Sequence, residues 1–539
     1  MAQKDNNIRV PGLAGGLNSG APRNRLALNQ CPAMLNFTVV DGVARKRTGY
    51  AANAYTTTDW SGGKMYAGHH YQDGVTGTKR FWALGDTKIM EKSTIDGQWV
   101  QVTGLTPNAT ANWYYNTTEI VSLDDYKNYL IVCQADTKRL TGVTPGNWQK
   151  IYYANSPTGN LTLLAGANLG YHADDTNHWC KRVVNFMNRL VLLHTLEEYS
   201  AGNYAELFQR VRWSDLGHFT TNAHWDSTSY SDLRSGFGAI MNGEVLNNTL
   251  VIYQENAISA GYDTGSSTAP FHFETKLPGI GLYAARLRTS NGEAEFFVGS
   301  DGNIYQYFGG KDRINIGRAV RTEFFNAINK TQSGGYAYAD RSWAFCLEDI
   351  EAVIFAIPTG AGDTDPTMFY VYFWNEQRWD KWDYADTITG LAAFEQPAST
   401  NVAKLPLFTN ASGAMRQLDY VTTNDVSTAI DSWINTEDFV LDLQHDFRFL
   451  DLWFEASGDG SASSVDVSIS VDSGTTFTNG VGGADATAQT VTVGTTWNIY
   501  HVRFAVTGYV VRFKYRNNTA SQKLLLGEMN FNLSEMNQR

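Results

Sequence analysis

The feature that most constrains the fold is a hairpin rhythm that recurs between about residues 60 and 420. Short runs of alternating apolar residues are separated by Gly, Asn or Asp turns, and a tryptophan often stands near the end of the second run. For example, residues 294–299 lead through Asp301-Gly302 into residues 303–308. Such pairs supply the positive backbone angles that tight hairpin turns need. The rhythm therefore predicts antiparallel strands joined by short turns.

These units recur about every 45–55 residues, which is the spacing of four-stranded blades that repeat around an axis. The composition agrees, since the chain has 49 Gly, only 12 Pro, 13% aromatic residues and 18% charged residues. The prediction is an all-β protein whose main domain is a β-propeller of about six or seven blades. A β-sandwich with long excursions is the structural alternative. Residues 315–330 are expected to be helical or irregular, because apolar residues recur there at three to four positions, and to form an insertion between blades.

The composition changes after about residue 425, where aromatic clusters thin and Ser, Thr, Val, Gly and Asp dominate. Residues 426–539 hold 13 acidic and 7 basic residues, so they carry about half of the net charge of −12. We therefore expect an N-terminal arm with a first hairpin over residues 1–59, a propeller-like domain over 60–425 and a smaller acidic β-sandwich over 426–539.

Residue patterns that would indicate an enzyme or a metal site are weak. Four groups of carboxylates are expected to be hairpin or loop residues in solvent; they are Asp124-Asp125, Asp174-Asp175, Glu348/Asp349/Glu351 and Glu437-Asp438. His69 and His70 would point to opposite faces of a strand and so would not share a metal. Gly309-Gly310-Lys311 lacks the spacing of a phosphate loop, and no Gly-x-Ser-x-Gly elbow occurs. The prediction is no catalytic, cofactor-binding or metal-ligating residue and no enzymatic activity.

The four cysteines are far apart in sequence, and we expect isolated, reduced and mostly buried thiols. No apolar run approaches the roughly 18 residues that a membrane-spanning helix needs, so we expect synthesis in a cytoplasm, a soluble protein and no membrane insertion. Residues 470–477 match the Asp-box pattern and look similar to that of sialidases. In that pattern Asp and Ser/Thr side chains close a hairpin turn, and we expect a structural role.

A dense basic cluster, Arg45-Lys46-Arg47, lies near the N-terminus, with Arg23 and Arg25 upstream. It could contact nucleic acid phosphates, but we favour a solvated hairpin or a contact to a neighbouring subunit because the chain as a whole is acidic. Trp374, Trp379 and Trp382 could stack on sugars, although such residues more often fill the space between blades.

Several short patterns occur in an order that resembles one family. They are Gly15-Gly16-Leu17-Asn18, Asn29-Gln30, Leu35-Asn36-Phe37, residues 41–47, Gly49-Tyr50, Arg212-Trp213-Ser214-Asp215, residues 296–305 and residues 372–382. Together they resemble the tail nozzle, tail tubular protein B and hub-type structural proteins of short-tailed bacteriophages. Thr48 stands where such proteins often have proline, so the tight bend before Gly49 departs from the family pattern.

This resemblance implies a virion structural protein of the tail, made in the host cytoplasm. It implies a β-propeller subunit of a homohexameric tube that lies below the portal and adaptor proteins and contacts tail fibres or tip proteins. The tube would retain genomic double-stranded DNA and then pass it during ejection. An acidic lumen would repel phosphates and let the duplex slide, although the acidic residues would also serve solubility.

Two residue sets follow from this hypothesis. The channel or gate residues are expected among the acids Asp431, Glu437, Asp438, Asp442 and Asp446, and the assembly residues are expected to be Arg23, Arg25, Arg45, Lys46 and Arg47. Residues 30–47 are expected to form a hairpin that closes the ring of blades or docks on a neighbour. The main rival is a receptor-binding or glycan-depolymerising protein similar to tailspikes, and a second rival is a monomeric propeller lectin or scaffold.

Overall fold

The computed structural model describes residues 7–13, 15–52, 60–72, 79–85, 89–92, 99–102, 119–126, 129–136, 149–154, 162–164, 179–200, 203–221, 224–333, 336–363, 365–395, 404–419, 421–440, 447–480 and 488–535. Strands dominate these residues, as the sequence predicted, and they form two assemblies: a ring of four-stranded sheets and a pair of packed sheets. None of the helices in these ranges has the length and apolar character needed to span a bilayer.

The ring contains seven antiparallel blades among the described residues, and the first strand of each blade lies at one edge of its sheet. The strands are Met65–Gln72, Lys79–Gly85, Ile89–Lys92 and Val100–Gln101 in blade 1; Glu119–Tyr126, Tyr129–Asp136, Gln149–Ala154 and Thr162–Leu163 in blade 2; Trp179–Phe186, Arg189–Ser200, Asn203–Trp213 and Tyr230–Asp232 in blade 3; Ile240–Leu246, Thr249–Gln254, Ala257–Asp263 and Phe271–Pro278 in blade 4; Arg288–Ser290, Glu295–Val298, Ile304–Gly309 and Asp312–Asn315 in blade 5; Trp343–Leu347, Ala352–Ile357, Met368–Phe373 and Arg378–Asp383 in blade 6; and Ala392–Glu395, Lys404–Thr409, Met415–Leu418 and Tyr50–Ala52 in blade 7.

Apolar side chains fill the space between each blade and the next. One cluster joins blades 1 and 2, further clusters join each following pair, and another runs from blade 6 through blade 7 back to blade 1. The first strands of most neighbouring blades also contact each other, including those of blades 7 and 1. The ring is therefore closed and its first strands are innermost, which is a β-propeller. The predicted propeller is confirmed.

Tight turns inside the blades follow the sequence signals. Met187 and Asn188 connect the first two strands of blade 3 with φ of 48° and 57°, and Asn247 and Asn248 connect those of blade 4 with φ of 48° and 59°. Two consecutive positive φ angles are typical of the hairpin turn that matches strand twist.

The ring is closed by a strand from the N-terminal part of the chain. Tyr50–Ala52 pairs antiparallel with Met415–Leu418 and supplies the fourth strand of blade 7, and Asn424–Asp425 and Thr428–Ala429 extend the same sheet beyond it. The expectation that residues 30–47 close the ring was wrong. The hairpin of Phe37–Val40 and Val43–Lys46 pairs with Leu525–Glu535 instead, because its apolar side chains face the core of the C-terminal sheets.

Two sheets that pack face to face form a β-sandwich. Sheet I contains Asn7–Val10, Phe37–Val40, Val43–Lys46, Phe447–Ser457, Asn498–Phe504 and Leu525–Glu535; sheet II contains Ala33–Leu35, Ser432–Asn435, Phe439–Val440, Ser463–Ser470, Gln489–Val493 and Val510–Asn517. Leu452 and Phe454 of sheet I share one buried cluster with Val467 and Phe513 of sheet II. The predicted C-terminal sandwich is present, and residues 7–46 contribute strands to it.

Short elements connect these assemblies. The helix Arg321–Ala327 lies between blades 5 and 6 and confirms the predicted insertion. The remaining elements are the paired strands Gly16–Leu17 and Gln30–Cys31, Gln332–Ser333 and Tyr336–Ala337, and Asn424–Asp425 and Thr428–Ala429, with one-turn helices at Ser235–Phe237, Gly317–Ala319, Tyr338–Arg341 and Glu348–Ile350.

A buried arginine holds the propeller and the sandwich together. Arg47 follows the sheet I hairpin and is only 4% exposed. Its guanidinium donates to both carboxylate oxygens of Asp425, after blade 7, at 2.9 and 2.7 Å, and to Oδ1 of Asn36 at 2.8 Å. Asn36 in turn accepts from the backbone N–H of Asp383, at the end of blade 6, and donates to the carbonyl of Asp431, beside sheet II. We call this group the joint.

We predict that Arg47→Ala lowers the free energy of unfolding by about 3–5 kcal/mol, because it leaves the Asp425 carboxylate buried without a cation. Arg45 is two residues earlier in the same basic cluster but is exposed, so Arg45→Ala should change stability by less than about 0.5 kcal/mol. Urea denaturation followed by tryptophan fluorescence measures both. Equal midpoints for the two variants would contradict the joint.

Candidate functional site

The predicted assembly residues separate into buried and exposed groups. Lys46 and Arg47 are buried inside the chain. The Lys46 ammonium donates to Oδ1 of Asn517 at 2.7 Å and to the carbonyl of Thr519 at 3.1 Å, and burial lowers its pKa to about 8. Arg23, Arg25 and Arg45 are exposed. Only these three are therefore available for contact with another molecule.

The predicted channel acids also differ in their surroundings. Asp431 is half exposed, and Arg516 donates to its two oxygens at 2.7 and 3.0 Å. Asp438 is buried and pairs with Arg512 at 2.7 Å. Glu437 is buried next to it, and burial, together with the Asp438 carboxylate, raises the Glu437 pKa to about 7. Asp442 and Asp446 lie outside the described residues.

Members of the two sets meet at one end of sheet II. The backbone N–H of Asp438 donates to the carbonyl of Arg23 at 3.2 Å, and the Arg23 guanidinium donates to the carbonyl of Ser473 at 2.6 Å. Ser473 belongs to the Asp-box turn, and its neighbour Gly474 leaves the room that the Arg512 guanidinium occupies. The sequence did not indicate that these distant segments come together.

The Asp-box pattern forms the hydrogen-bonded turn that the sequence predicted. The Asp472 carboxylate accepts from the hydroxyls of Ser470 and Thr476, both at 2.6 Å, and from the Thr476 backbone N–H at 2.8 Å. The bond from Ser470 contributes most to the lowering of the Asp472 pKa. These hydrogen bonds hold the turn that follows the strand Ser463–Ser470 of sheet II, which is a structural role.

A cavity of 360 Å³ lies beside the joint, between the sheet I hairpin and blade 6. Its lining combines the aromatic rings of Trp382 and Tyr384 with the charged groups of Arg45, Glu376 and Asp419. Arg45, an exposed residue of the predicted assembly set, belongs to this lining.

The three tryptophans near residue 380 do not form a surface for sugars. Trp379 and Trp382 are buried, and the Trp379 indole donates to the carbonyl of Ile316 at 2.8 Å. Trp374 is half-buried and packs against Phe296 with ring centres 5.8 Å apart. They fill the space between blades, which was the favoured interpretation.

A row of charged side chains that the sequence analysis missed lies on the innermost strands. Arg182 of blade 3 donates to Glu244 of blade 4 at 2.8 Å, and Arg288 of blade 5 donates to the same carboxylate at 2.7 Å. Arg288 also donates at 2.8 Å to the fully buried Glu295, which lies on the second strand of blade 5. Asp124 of blade 2 accepts from the backbone N–H of Asn185 at 2.9 Å. We call these residues the central row.

The carboxyl groups of the central row have pKa values that are shifted in different directions. Burial raises the pKa of Asp124 to about 6 and that of Glu295 to about 7, despite the nearby Arg182 and Arg288. Burial also acts on Glu244, but Arg182 and Arg288 outweigh it and lower the Glu244 pKa. Asp124, whose pKa is raised, and Glu244, whose pKa is lowered, therefore favour different protonation states, a pattern typical of acid–base pairs.

Asp124 lies in the hairpin of Glu119–Tyr126 and Tyr129–Asp136, as expected, but the expectation that it is in solvent was wrong, because it is half-buried. Glu348, Asp349 and Glu351 are exposed at a one-turn helix, as expected, while Asp174 and Asp175 lie outside the described residues. The sequence feature that could have predicted the central row is a charged residue on the first strand of each of several successive blades: Asp124, Arg182, Glu244 and Arg288.

Arg212 of the family-like Arg212-Trp213-Ser214-Asp215 pattern has a structural environment. It is 1% exposed and forms a two-bonded ion pair with Glu197 at 3.0 and 2.9 Å. The Ser214 hydroxyl accepts from the backbone N–H of Leu190 at 3.0 Å. These residues brace blade 3.

None of the cysteines forms a disulfide in the described part of the chain: Cys31, Cys133 and Cys180 are buried, and Cys346 is half-buried. Within the ranges that the structure describes, no group of three or more His, Cys, Asp or Glu side chains is arranged to hold a metal ion.

No family model and no curated protein matches the chain. Solved structures similar to it include BBS1N in complex with ARL6DN (11% identity, TM-score 0.36, 70% of this chain and 99% of that chain). An exo-β-1,3-galactanase from Phanerochaete chrysosporium with galactose has 10% identity and a TM-score of 0.25 over 90% of this chain and 100% of its own. A structure titled "CBM4 structure and function" has 14% identity and a TM-score of 0.16 over 25% of this chain and 74% of its own. At these TM-scores the likenesses do not bear on function.

We predict that Glu437→Gln stabilises the protein at pH 8 but not at pH 4. Because the folded-state pKa of about 7 lies above the ordinary value of 4.5, the folded state binds more protons between these limits. The stability contribution of Glu437 is therefore present below about pH 4.5 and is lost as the pH rises through 7. Gln keeps the neutral form at every pH.

Thermal unfolding of both proteins between pH 4 and 8 measures this difference. The exposed Glu293 provides the control, since Glu293→Gln should leave the pH profile of the melting temperature unchanged. A Glu437→Gln profile parallel to that of the wild type would count against the assignment.

Proposed function

We propose that the chain is a structural subunit of a short-tailed phage tail nozzle, with no enzymatic role. The observation that carries this proposal is the joint. Asn36, Arg47 and Gly49 belong to the N-terminal pattern that resembles nozzle proteins, and Asn36 and Arg47 bind the closed propeller to the sandwich. A subunit that bears load between a portal and tail fibres needs its two domains held in a fixed relation.

In this proposal six copies form a closed tube below the portal and adaptor proteins, in the virion tail, and genomic double-stranded DNA is retained and then passes through it. A chain with net charge −12 gives such a tube about −72, which disfavours adhesion of phosphates to its wall. Tail fibres or tip proteins would contact its outer surface.

The exposed Arg25 and Arg45 are the assembly residues that this proposal retains. Neither side chain makes a hydrogen bond or ion pair with the residues that the structure describes, so both can reach acids on a neighbouring copy. Symmetric rings repeat one such contact at every interface.

We predict that the purified protein forms rings of six with a central bore, seen by mass photometry and negative-stain microscopy. Arg25→Glu with Arg45→Glu should shift the mass toward the single chain, since charge reversal places like charges across each interface. Arg234→Glu, at another exposed arginine, is the control and should leave the rings intact. Single chains without a bore at every concentration would refute the nozzle proposal.

The rival function, a receptor-binding or glycan-depolymerising protein, is favoured by the central row. Glycosidases need one protonated and one ionised carboxyl, and Asp124 and Glu244 have pKa values displaced in opposite directions.

The nozzle proposal predicts that the protein releases no reducing ends from host capsular or lipopolysaccharide glycans. Asp124→Asn, Glu244→Gln and the exposed control Asp263→Asn should then give the same background signal. Release by the wild type and the control, with loss in both central-row variants, would establish the rival function instead.

A further inference from the structure

Sheet I has a second face, opposite the sandwich core, that turns to solvent. Along Phe447–Ser457 the buried Leu452 and Phe454 alternate with Asp451, Trp453 and Glu455, which point away from the core. The outward positions align in register across four strands, in two rows: Arg503, Asp451, Asn532 and Asn7, then His501, Trp453, Asn530 and Arg9. We call this the outer face.

The outer face carries an aromatic and apolar strip. Trp453 stacks on His501 with ring centres 4.9 Å apart and an interplanar angle of 25°. Further along the same edge, Trp497 is 48% exposed and Ile499 is 63% exposed. The register places Trp497 four residues beyond Trp453, which is about 13 Å at the usual rise of a strand. Neither indole N–H has a hydrogen-bond partner in the described parts of the chain.

A glycine shapes the surface beneath Trp497. The strand Leu525–Glu535 has an irregular register opposite Glu455, and Gly527 lies in it. A Cβ atom at Gly527 would come within 3.2 Å of the Trp497 ring and 2.9 Å of Oε2 of Glu455. The missing side chain therefore lets the indole lie against the backbone, next to the carboxylate.

Most charges of the outer face are already paired. Arg503 donates to both oxygens of Asp451, at 2.7 and 3.1 Å, and Arg9 pairs with Glu528. Glu455 and the Asn530 amide, in contrast, make no hydrogen bond to any residue that the structure describes. The face thus offers free donors and acceptors beside the half-buried Trp453 and the exposed Trp497, and Glu455, the carboxylate of this face that makes no hydrogen bond to a described residue, lies next to Trp497.

We propose that the outer face binds a neutral saccharide. Sugar rings present flat C–H surfaces that pack on indoles, and their hydroxyls both donate and accept, which matches Trp497 with Glu455 and Trp453 with Asn530. The Glu455 carboxylate disfavours acidic sugars. A protein partner fits less well, because the cores of protein interfaces are depleted of charged residues, whereas Arg9, Glu528, Asp451 and Arg503 lie on this face. This site is separate from the central row and does not depend on ring assembly.

Isothermal titration of the full chain with neutral hexasaccharides built from glucose, galactose, mannose or N-acetylglucosamine tests the proposal, with a sialylated hexasaccharide as the acidic probe. At least one neutral probe should bind, and the acidic probe should bind more weakly. Trp497→Ala and Gly527→Val should each weaken binding about tenfold or more, which corresponds to about 1.4 kcal/mol.

Tyr509 is the matched control, since it is 45% exposed but lies outside the outer face, and Tyr509→Ala should bind as the wild type does. Melting temperatures confirm that each variant is folded, and Trp497→Ala at an exposed site should remain so. The proposal is overturned if no neutral probe binds, if Trp497→Ala binds as tightly as the wild type, or if the Tyr509 control loses binding equally.

Discussion

The buried ion pair of Arg47 and Asp425 is the interaction on which the arrangement of the two domains depends. A guanidinium that is removed from water must keep its partners, because an unpaired buried charge costs far more than a surface one. Arg47 therefore requires Asp425 from the end of the propeller and Asn36 from the start of the sandwich to be in place together. The segment around it is shared between both domains, and neither domain is complete without it.

The cost of burying a charge also explains two different arrangements of buried charged groups in this protein. In the joint and in blade 3, arginine–carboxylate pairs are buried and brace strands. In the central row, Arg182 and Arg288 share Glu244, while Asp124 accepts from the backbone N–H of Asn185 and has a raised pKa. A nozzle subunit requires ion pairs that hold its strands together. A hydrolase instead requires two carboxyl groups whose pKa values differ, so that one is protonated while the other is ionised. The two proposed functions therefore depend on different residues: the nozzle on the bracing ion pairs, and the hydrolase on Asp124 and Glu244.

Much of the local structure could be predicted from the sequence, because local structure depends on neighbours a few residues away. The hairpins, the helix at Arg321–Ala327 and the Asp-box turn belong to this class. The pairing of Val43–Lys46 with Leu525 could not be predicted from the sequence, since no local pattern encodes a partner almost 500 residues away. The burial of Lys46 and Arg47 could not be predicted either, because the same basic sequence can lie on a surface or be buried in ion pairs. Period-two alternation marks which side chains share a face of a strand, but it does not reveal which strand lines the propeller axis, so the central row was missed.

The N-terminal strands have a consequence for how the chain acquires its structure. Asn7–Val10 pairs with residues 529–532, and Tyr50–Ala52 with residues 416–418. During translation the first strands emerge hundreds of residues before their partners, so they must wait without a sheet to join. Contacts of such long sequence separation form slowly. Each domain is thus completed late, the propeller only after residues 416–418 have emerged and the sandwich only after residues 529–532, and an extended, unpaired amino-terminal segment is the species that a chaperone would encounter.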